Sequence, residues 1–226
     1  MFIFAVQKNN AMQEIVHPLS ERQEKVVNKL NELGIPFDIH FHPPIFTIEE
    51  ALEYWKEFDS THCKNLFFRN HKGNRHYLVI FDCMQQLAIH DLEHRLRQGK
   101  LSFASEQRME KYLGLKPGSV SPFGLINDKE HHVHLFIDKN LLNAERLSFH
   151  PNDNTATCVI KKENFLKFLD AMGNTYEFIE LYDWKIVFPL YELIFHYLVS
   201  YGDTLQTVVD KNSVLKKKIK KIILIR

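Results

Sequence analysis

LFFRNHKGNRHYLVIF, residues 66–81, is the stretch from which the fold can be read. Leu66-Phe67-Phe68 and Tyr77 to Phe81 are short runs of aromatic and β-branched residues, the composition of strands. Between them Asn70 to Asn74, with Gly73 inside, supplies the polar, conformationally free residues of a turn. The segment therefore predicts a β-hairpin, and so a sheet at the centre of the chain.

Working toward the N-terminus, Phe37, Ile39 and Phe41 alternate with Asp38, His40 and His42, which predicts a half-buried strand ended by Pro43-Pro44. Before it, Ser20 and Gln23 form a capping-box pair. Val26, Val27, Leu30 and Leu33 follow at helical spacing, with Gly34 at the C′ position. Thr47 and Glu50 open a second predicted helix through Trp55. Residues 1–12 read as a leader, with Met12 an alternative start.

Toward the C-terminus, helices are predicted over Asp91 to Gln98, from Ser105 to Leu113 with Gly114 as its stop, and over Asn164 to Met172 with Gly173 as its stop. Val120 to Ile126 and Val133 to Ile137 read as strands joined through Asn127-Asp128. Thr155 to Ile160 and Tyr176 to Leu181 read as further strands. Strands and helices mix without a strict βαβ rhythm, so the expected class is α+β with a mixed sheet flanked by helices. Residues 13–184 form the expected domain. Residues 185–226 change character, with an apolar stretch and then the basic run Lys216-Lys217-Lys218-Ile219-Lys220-Lys221, and are read as a C-terminal appendage without an assigned role. That run can contact nucleic-acid phosphate or be a solvated tail.

Bulk properties narrow the function classes. The 226 residues suffice for one domain with a real core, and 45% hydrophobic with 25% charged residues is the balance of a globular protein. A formal charge of +1 provides no global attraction to nucleic acid, so any RNA contact needs a local basic patch. Cys63, Cys83 and Cys158 are scattered and odd in number, which predicts reduced thiols and a cytoplasmic setting. Ile186 to Tyr201 is broken by Pro189, Glu192 and His196, so no membrane span is expected.

The devices of serine hydrolases, nucleotide-binding enzymes and zincins are absent as motifs. His131-His132-x-His134 invites a metal reading. With no carboxylate or thiol at a compelling spacing, exposed histidines opening a hairpin strand are the better expectation, and neither a metal nor another cofactor is expected. What stands out instead is a set of polar residues inside apolar segments: Lys64-Asn65, Ser121-Pro122-Phe123-Gly124-Leu125, and Phe149-His150-Pro151 shortly before Asn154-Thr155-Ala156-Thr157.

These stretches, with His42-Pro43-Pro44-Ile45-Phe46-Thr47, Leu101-Ser102-Phe103-Ala104-Ser105, Leu115 to Asp128 and Asp138-Lys139-Asn140-Leu141-Leu142, resemble the prolyl-tRNA editing domains of the YbaK family. The likeness is greatest to the freestanding alanyl-tRNA(Pro) deacylases, the ProX or PrdX type. It runs in order from about residue 13 to 184. The resemblance implies a partly barrel-like sheet and hydrolysis of the ester joining an amino acid to the terminal adenosine of tRNA(Pro), with no metal. It maps the catalytic set onto Lys64, Asn65, Gly124 and His150, with Phe46, Ser121, Pro122, Phe123, Pro151, Asn154 and Thr155 as substrate-binding candidates. It also implies the acceptor end of tRNA(Pro) as partner, and leaves prolyl-tRNA synthetase as a further one. Two alternatives stay open: the cysteine-specific YbaK branch, and a non-catalytic tRNA-binding protein on the same fold.

The implied chemistry is physically modest. An aminoacyl ester is already activated, so the protein needs to place a water and stabilise charge growing on the carbonyl oxygen. The Lys64 ammonium can supply that charge or grip the terminal phosphate. Backbone N–H groups around Gly124 are expected to approach the ester, and a ribose hydroxyl of the terminal adenosine can assist. Selectivity follows from size: a pocket built for proline cannot exclude alanine, because a missing methylene is worth only about 1–3 kcal/mol, whereas a smaller second pocket admits alanine and rejects the proline ring.

Overall fold

The computed structural model describes residues 18–45, 50, 54–55, 58–85 and 89–181. The leader, the Thr47 cap and the appendage beyond 184 lie outside the described residues.

The first helix, α1 (Glu21–Glu32), begins at the expected capping box. The Ser20 hydroxyl accepts from the Gln23 N–H at 3.3 Å and the Gln23 side chain accepts from the Ser20 N–H at 2.9 Å. Its buried stripe is Val26, Val27 and Leu30, and Gly34 follows at φ 60°, a conformation that favours glycine. The later helices are α2 (Ile89–Leu96), α3 (Glu106–Leu113) and α4 (Lys162–Met172). Gly114 and Gly173 close α3 and α4 in the left-handed conformation, at φ 64° and 75°. Ser105 precedes α3 as expected, but its side chain makes no capping hydrogen bond.

Eight strands form one mixed sheet: β1 (Phe37–Phe41), β2 (Thr61–Asn70), β3 (His76–Asp82), β4 (Leu101–Phe103), β5 (Val133–Asp138), β6 (Arg146–Phe149), β7 (Ala156–Lys161) and β8 (Tyr176–Ile179). Their order is β1-β7-β6-β2-β3-β5-β8, with β4 pairing β2 beside this path. The predicted hairpin is β2–β3, antiparallel from Cys63 opposite Asp82 to Arg69 opposite His76. The pairs β2–β6, β3–β5 and β5–β8 are parallel. The α+β class with a mixed sheet and flanking helices is thus the observed one. Among the described residues β1 and β8 are the two ends of the order.

Alternation along the strands divides the sheet into two faces. The inner face carries Phe67, Leu78, Ile80, Leu135, Ile137, Phe149 and Ile160. It packs against Val26 and Leu30 of α1, Leu113 of α3, and Phe165 and Phe168 of α4. The outer face carries Phe68, Tyr77, Val79, Phe81 and Phe136, covered by Leu92 and Leu96 of α2.

Two expectations need correction. The predicted strand Val120 to Ile126 is a 3-10 turn over Pro122–Asn127. Pro122 has no N–H for a ladder, Ser121 caps the turn by accepting from the Phe123 N–H, and the Gly124 N–H closes back on the Ser121 carbonyl at 3.1 Å. The following strand, β5, therefore belongs to no hairpin; it runs parallel to both β3 and β8. The second correction concerns the His131–His134 cluster. His131 is exposed, but His132 is drawn inward: its Nε2 lies 2.8 Å from Nδ1 of the buried His76, and its ring stacks on Tyr112 at 4.4 Å. Arg108 fixes the other side of His76, with Nη1 2.9 Å from its Nε2 and 2.7 Å from the Gly73 carbonyl oxygen. Since the guanidinium can only donate, His76 accepts at Nε2 and donates from Nδ1 to His132. Burial, then the charges around it, push the His76 pKa down to about 4, which keeps the His76 ring neutral and able to accept from Arg108.

Candidate functional site

β2 has β3 beside it from Cys63 to Arg69, but among the described residues its other edge is covered only at the ends, by β6 at Thr61 and His62 and by β4 from Phe68 to Asn70. Between these ends, from Cys63 to Leu66, the sheet has a gap. The register decides which backbone groups meet it. The His62 carbonyl accepts from the Cys83 N–H and the Asn70 N–H donates to Arg75, so even-numbered residues bond toward β3. The Phe67 carbonyl accepts from Ala104, on the opposite side. By the same alternation the N–H and C=O of Asn65 point into the gap.

A cavity of about 430 Å³ occupies this gap, lined from β2 by Cys63, Lys64, Asn65, Leu66 and Phe67. Across from β2 the wall comprises Ala104, Met109 of α3, and Pro117, Gly118 and Val120; Ile45, Trp55, Cys83, Phe103 and His150 complete it. Because neighbours on a strand point to opposite faces, Asn65 projects inward with Cys63 and Phe67, while Lys64 projects outward with Leu66. Both reach one cavity because it passes through the opening. The Asn65 side-chain oxygen is buried and has no hydrogen-bond partner, an acceptor presented to whatever fills the space.

The titratable groups of the wall are mostly held neutral. Burial first, then Asp82, pushes the Cys83 thiol up to about 12, with the Lys64 charge opposing. Burial likewise holds the Cys63 thiol well above its ordinary value. Neither cysteine provides a thiolate near neutral pH. Burial lowers the His150 pKa; its Nδ1–H donates to the Ala156 carbonyl at 3.3 Å, which leaves Nε2 as an acceptor. His42 is lowered for the same reason and ends a relay in which Trp55 Nε1 donates to Thr157 Oγ1 at 3.3 Å. Thr157 Oγ1 in turn lies 3.0 Å from His42 Nε2, and His42 Nδ1 donates to the Pro43 carbonyl. This relay braces Trp55, whose ring stacks on His62 at 4.2 Å.

Of the residues singled out in the sequence, Lys64, Asn65 and His150 meet at the cavity. Gly124 does not line it, and its N–H is already used by Ser121. Packing calls for a glycine here: a Cβ there would lie 2.8 Å from Leu115 Cδ1 and 3.2 Å from the Leu113 carbonyl oxygen. Ser121 caps its turn, Pro122 opens it, and Phe123 is fully buried against Phe149 and Phe168. These three shape the wall from behind. Pro151 is buried, Asn154 reaches the Ile45 carbonyl at 3.5 Å, and Thr155 is bonded on two sides, accepting from Gln23 and donating to Asp153. Phe46 lies outside the described residues.

The sequence reading missed Cys83, Met109, Phe103 and the Pro117-Gly118 turn as wall residues. Gly118 carried a usable signal: at φ 83° it needs glycine's freedom, and a Lys-Pro-Gly turn inside the matched stretch Leu115 to Asp128 marks a backbone held close to something. Among the described residues no group of three or more His, Cys, Asp or Glu could hold a metal ion, and no helix is long and apolar enough to cross a membrane.

Comparison with known proteins agrees with this architecture. The chain is 43% identical over 161 residues to the prolyl-tRNA editing protein ProX of Acetoanaerobium sticklandii, an alignment spanning 71% of this chain and 98% of the relative. It is 32% identical over 159 residues to the prolyl-tRNA synthetase associated domain-containing protein 1 of Mus musculus, spanning 69% and 94%. The crystal structure of a proposed trans-editing enzyme for prolyl-tRNA synthetase shares the fold with a TM-score of 0.57 at 18% identity, covering 72% of this chain and 99% of the other. The aminoacyl-tRNA editing domain profile matches residues 42–168, which include Lys64, Asn65, the gap in β2 and His150, and the chain belongs to that family.

Proposed function

We propose that this chain is a freestanding deacylase that hydrolyses alanyl-tRNA(Pro), so correcting a charging error of prolyl-tRNA synthetase before it reaches translation. The observation that carries the reading is the interruption of β2: adjacent residues Lys64 and Asn65 stand on either side of a sheet opening that leads into a small, mostly apolar cavity. The ester enters this opening. The Asn65 N–H, directed into the gap, and the Lys64 ammonium stabilise the negative charge that develops on the carbonyl oxygen. The unpartnered Asn65 oxygen accepts from the substrate's amino group. Neutral His150, with an acceptor nitrogen, orients the attacking water or the ribose hydroxyl. With both cavity thiols held protonated, a thiolate nucleophile is not invoked. In this reading the acceptor end of tRNA(Pro) is the partner, the synthetase a transient one, and the cytoplasm the place of action.

The name and likeness of the Acetoanaerobium sticklandii relative support prolyl-tRNA as the substrate class. Alanine is the proposed acyl group because it is the residue a proline pocket cannot reject by size. The test is single-turnover hydrolysis of Ala-, Cys- and Pro-tRNA(Pro) by the full chain. Faster turnover of Ala-tRNA(Pro) than of the other two is expected; preference for Cys-tRNA(Pro) moves the protein to the cysteine-specific branch.

A further inference from the structure

Among the described residues three large apolar side chains are exposed, Tyr54, Met84 and Phe103. Phe103, at 55%, is the most open and is the one on the cavity wall. An isolated exposed aromatic needs no explanation, but this one is built as a platform. It sits on β4 directly opposite Phe68 of β2, and the two rings stack with centroids 4.7 Å apart and planes at 22°. Phe68 is fully buried, so Phe103 is backed by the outer-face core. Leu101, two residues earlier on the same strand, is buried in that core as well, and the Ala104 N–H is tied to the Phe67 carbonyl. The ring is thus firmly held, partly open to solvent, and placed at the mouth of the candidate site.

Its position relative to Lys64 gives it a use. Both side chains lie on the outer face, and Phe103 is level with Phe68, four residues along β2 from Lys64, about 13 Å by strand geometry. Long side chains at each end shorten that span to nucleotide dimensions, with the gap and Asn65 between them. We infer that Phe103 is the stacking platform for the terminal adenine of the tRNA acceptor end. This rests on the deacylase reading above. The base lies on the ring, the ribose sits over Leu66, and the acyl group enters the gap, where its carbonyl meets Lys64 and Asn65. Stacking is tolerant of base identity because every base has a π face, and every tRNA ends in the same nucleotide, so no reading of base edges is required at this position.

The inference predicts that Phe103 acts on substrates that carry a base and not on those without one. The measurement is kcat/KM on alanyl-tRNA(Pro) divided by kcat/KM on alanine esterified to glycerol, which keeps a vicinal hydroxyl but has neither base nor phosphate. Phe103→Ala lowers this ratio by about 10- to 100-fold, the size of a lost base–aromatic stack. Phe103→Leu, which keeps the apolar bulk and protects against a folding defect, lowers it by a similar factor, and Phe103→Trp keeps it within a few-fold of wild type. An unchanged ratio in both Phe103→Ala and Phe103→Leu, or a Phe103→Trp protein no better than Phe103→Ala, overturns the inference while leaving the deacylase reading intact. A wild-type protein that hydrolyses neither substrate overturns the deacylase reading and this inference with it.

Discussion

β3 and the first half of β2 lie side by side in one sheet and are used in opposite ways. β3 has a strand on each side, and its residues from His76 to Phe81 are all buried. Among the described residues Cys63 to Leu66 of β2 have a strand on one side only, are half-buried, and include Lys64 and Asn65. One strand spends its side chains on the core. The other leaves backbone groups and polar side chains over a cavity, where they contribute little to stability and are free for chemistry. The sheet is rigid where it is complete and reactive where it is interrupted, so the rigid strand holds the reactive one in register.

Substitutions can break this contrast or sharpen it. The largest stability effect belongs to the complete strand: Leu78→Ala on β3 costs about 2–5 kcal/mol, read as a lowered denaturation midpoint, because it empties a fully buried site. Asn65→Ala, directly opposite Ile80 on the neighbouring strand, lowers the midpoint far less while reducing deacylation. If Asn65→Ala destabilised as strongly as Leu78→Ala, the division between the strands would fail. Gly124→Ala comes next. Its added methyl meets Leu115 and the Leu113 backbone, and overpacking of that kind costs about 1–3 kcal/mol, visible in thermal denaturation. Because Gly124 does not line the cavity, the kcat of the folded fraction should stay within a few-fold of wild type; a selective loss of kcat without loss of stability would restore the catalytic role that the resemblance implied.

The remaining effect is a pH dependence of stability. His62 and His76 are both lowered from 6.5 to about 4, in each case chiefly by burial. Below pH 6.5 the unfolded chain takes up protons at these residues and the folded chain does not, so folding stability is full above that pH and falls as pH drops toward 4. Urea denaturation at pH 7 and pH 5 checks the sign: the midpoint should be lower at pH 5. Replacing His76 with Gln should flatten part of that slope.

The same contrast explains what could be read in advance. Residues 66–81 announced their hairpin because Leu66, Phe67 and the β3 residues alternate against two cores. The strand actually begins five residues earlier, at Thr61, and Thr-His-Cys-Lys-Asn gives no apolar alternation because Lys64 and Asn65 line a cavity and Thr61 and His62 are only half-buried beside β6. β6 was hidden for a related reason, as four residues from Arg146 to Phe149 are too short to show a period. Val120 to Ile126 misled in the other direction. Its apolar residues imitate a strand, but Pro122 and the Ser121 cap impose a 3-10 turn whose Phe123 is buried by tertiary packing. At the site, Lys64, Asn65 and His150 were legible through ordered motifs, whereas Phe103 stood in such a motif without a role and Met109 and Cys83 stood in none. Their roles depend on which strands leave β2 uncovered, and no local pattern encodes a missing neighbour.

The central claim is that the interrupted edge of β2 does the chemistry and that Lys64 supplies its charge. Single-turnover hydrolysis of alanyl-tRNA(Pro) by wild type and Lys64→Ala, with both thermal midpoints measured alongside, tests it most directly. The account predicts a loss of at least about 100-fold in the Lys64→Ala rate, the scale of removing one stabilising group from a developing oxyanion, at an unchanged midpoint. A Lys64→Ala protein that hydrolyses the ester at the wild-type rate would contradict it.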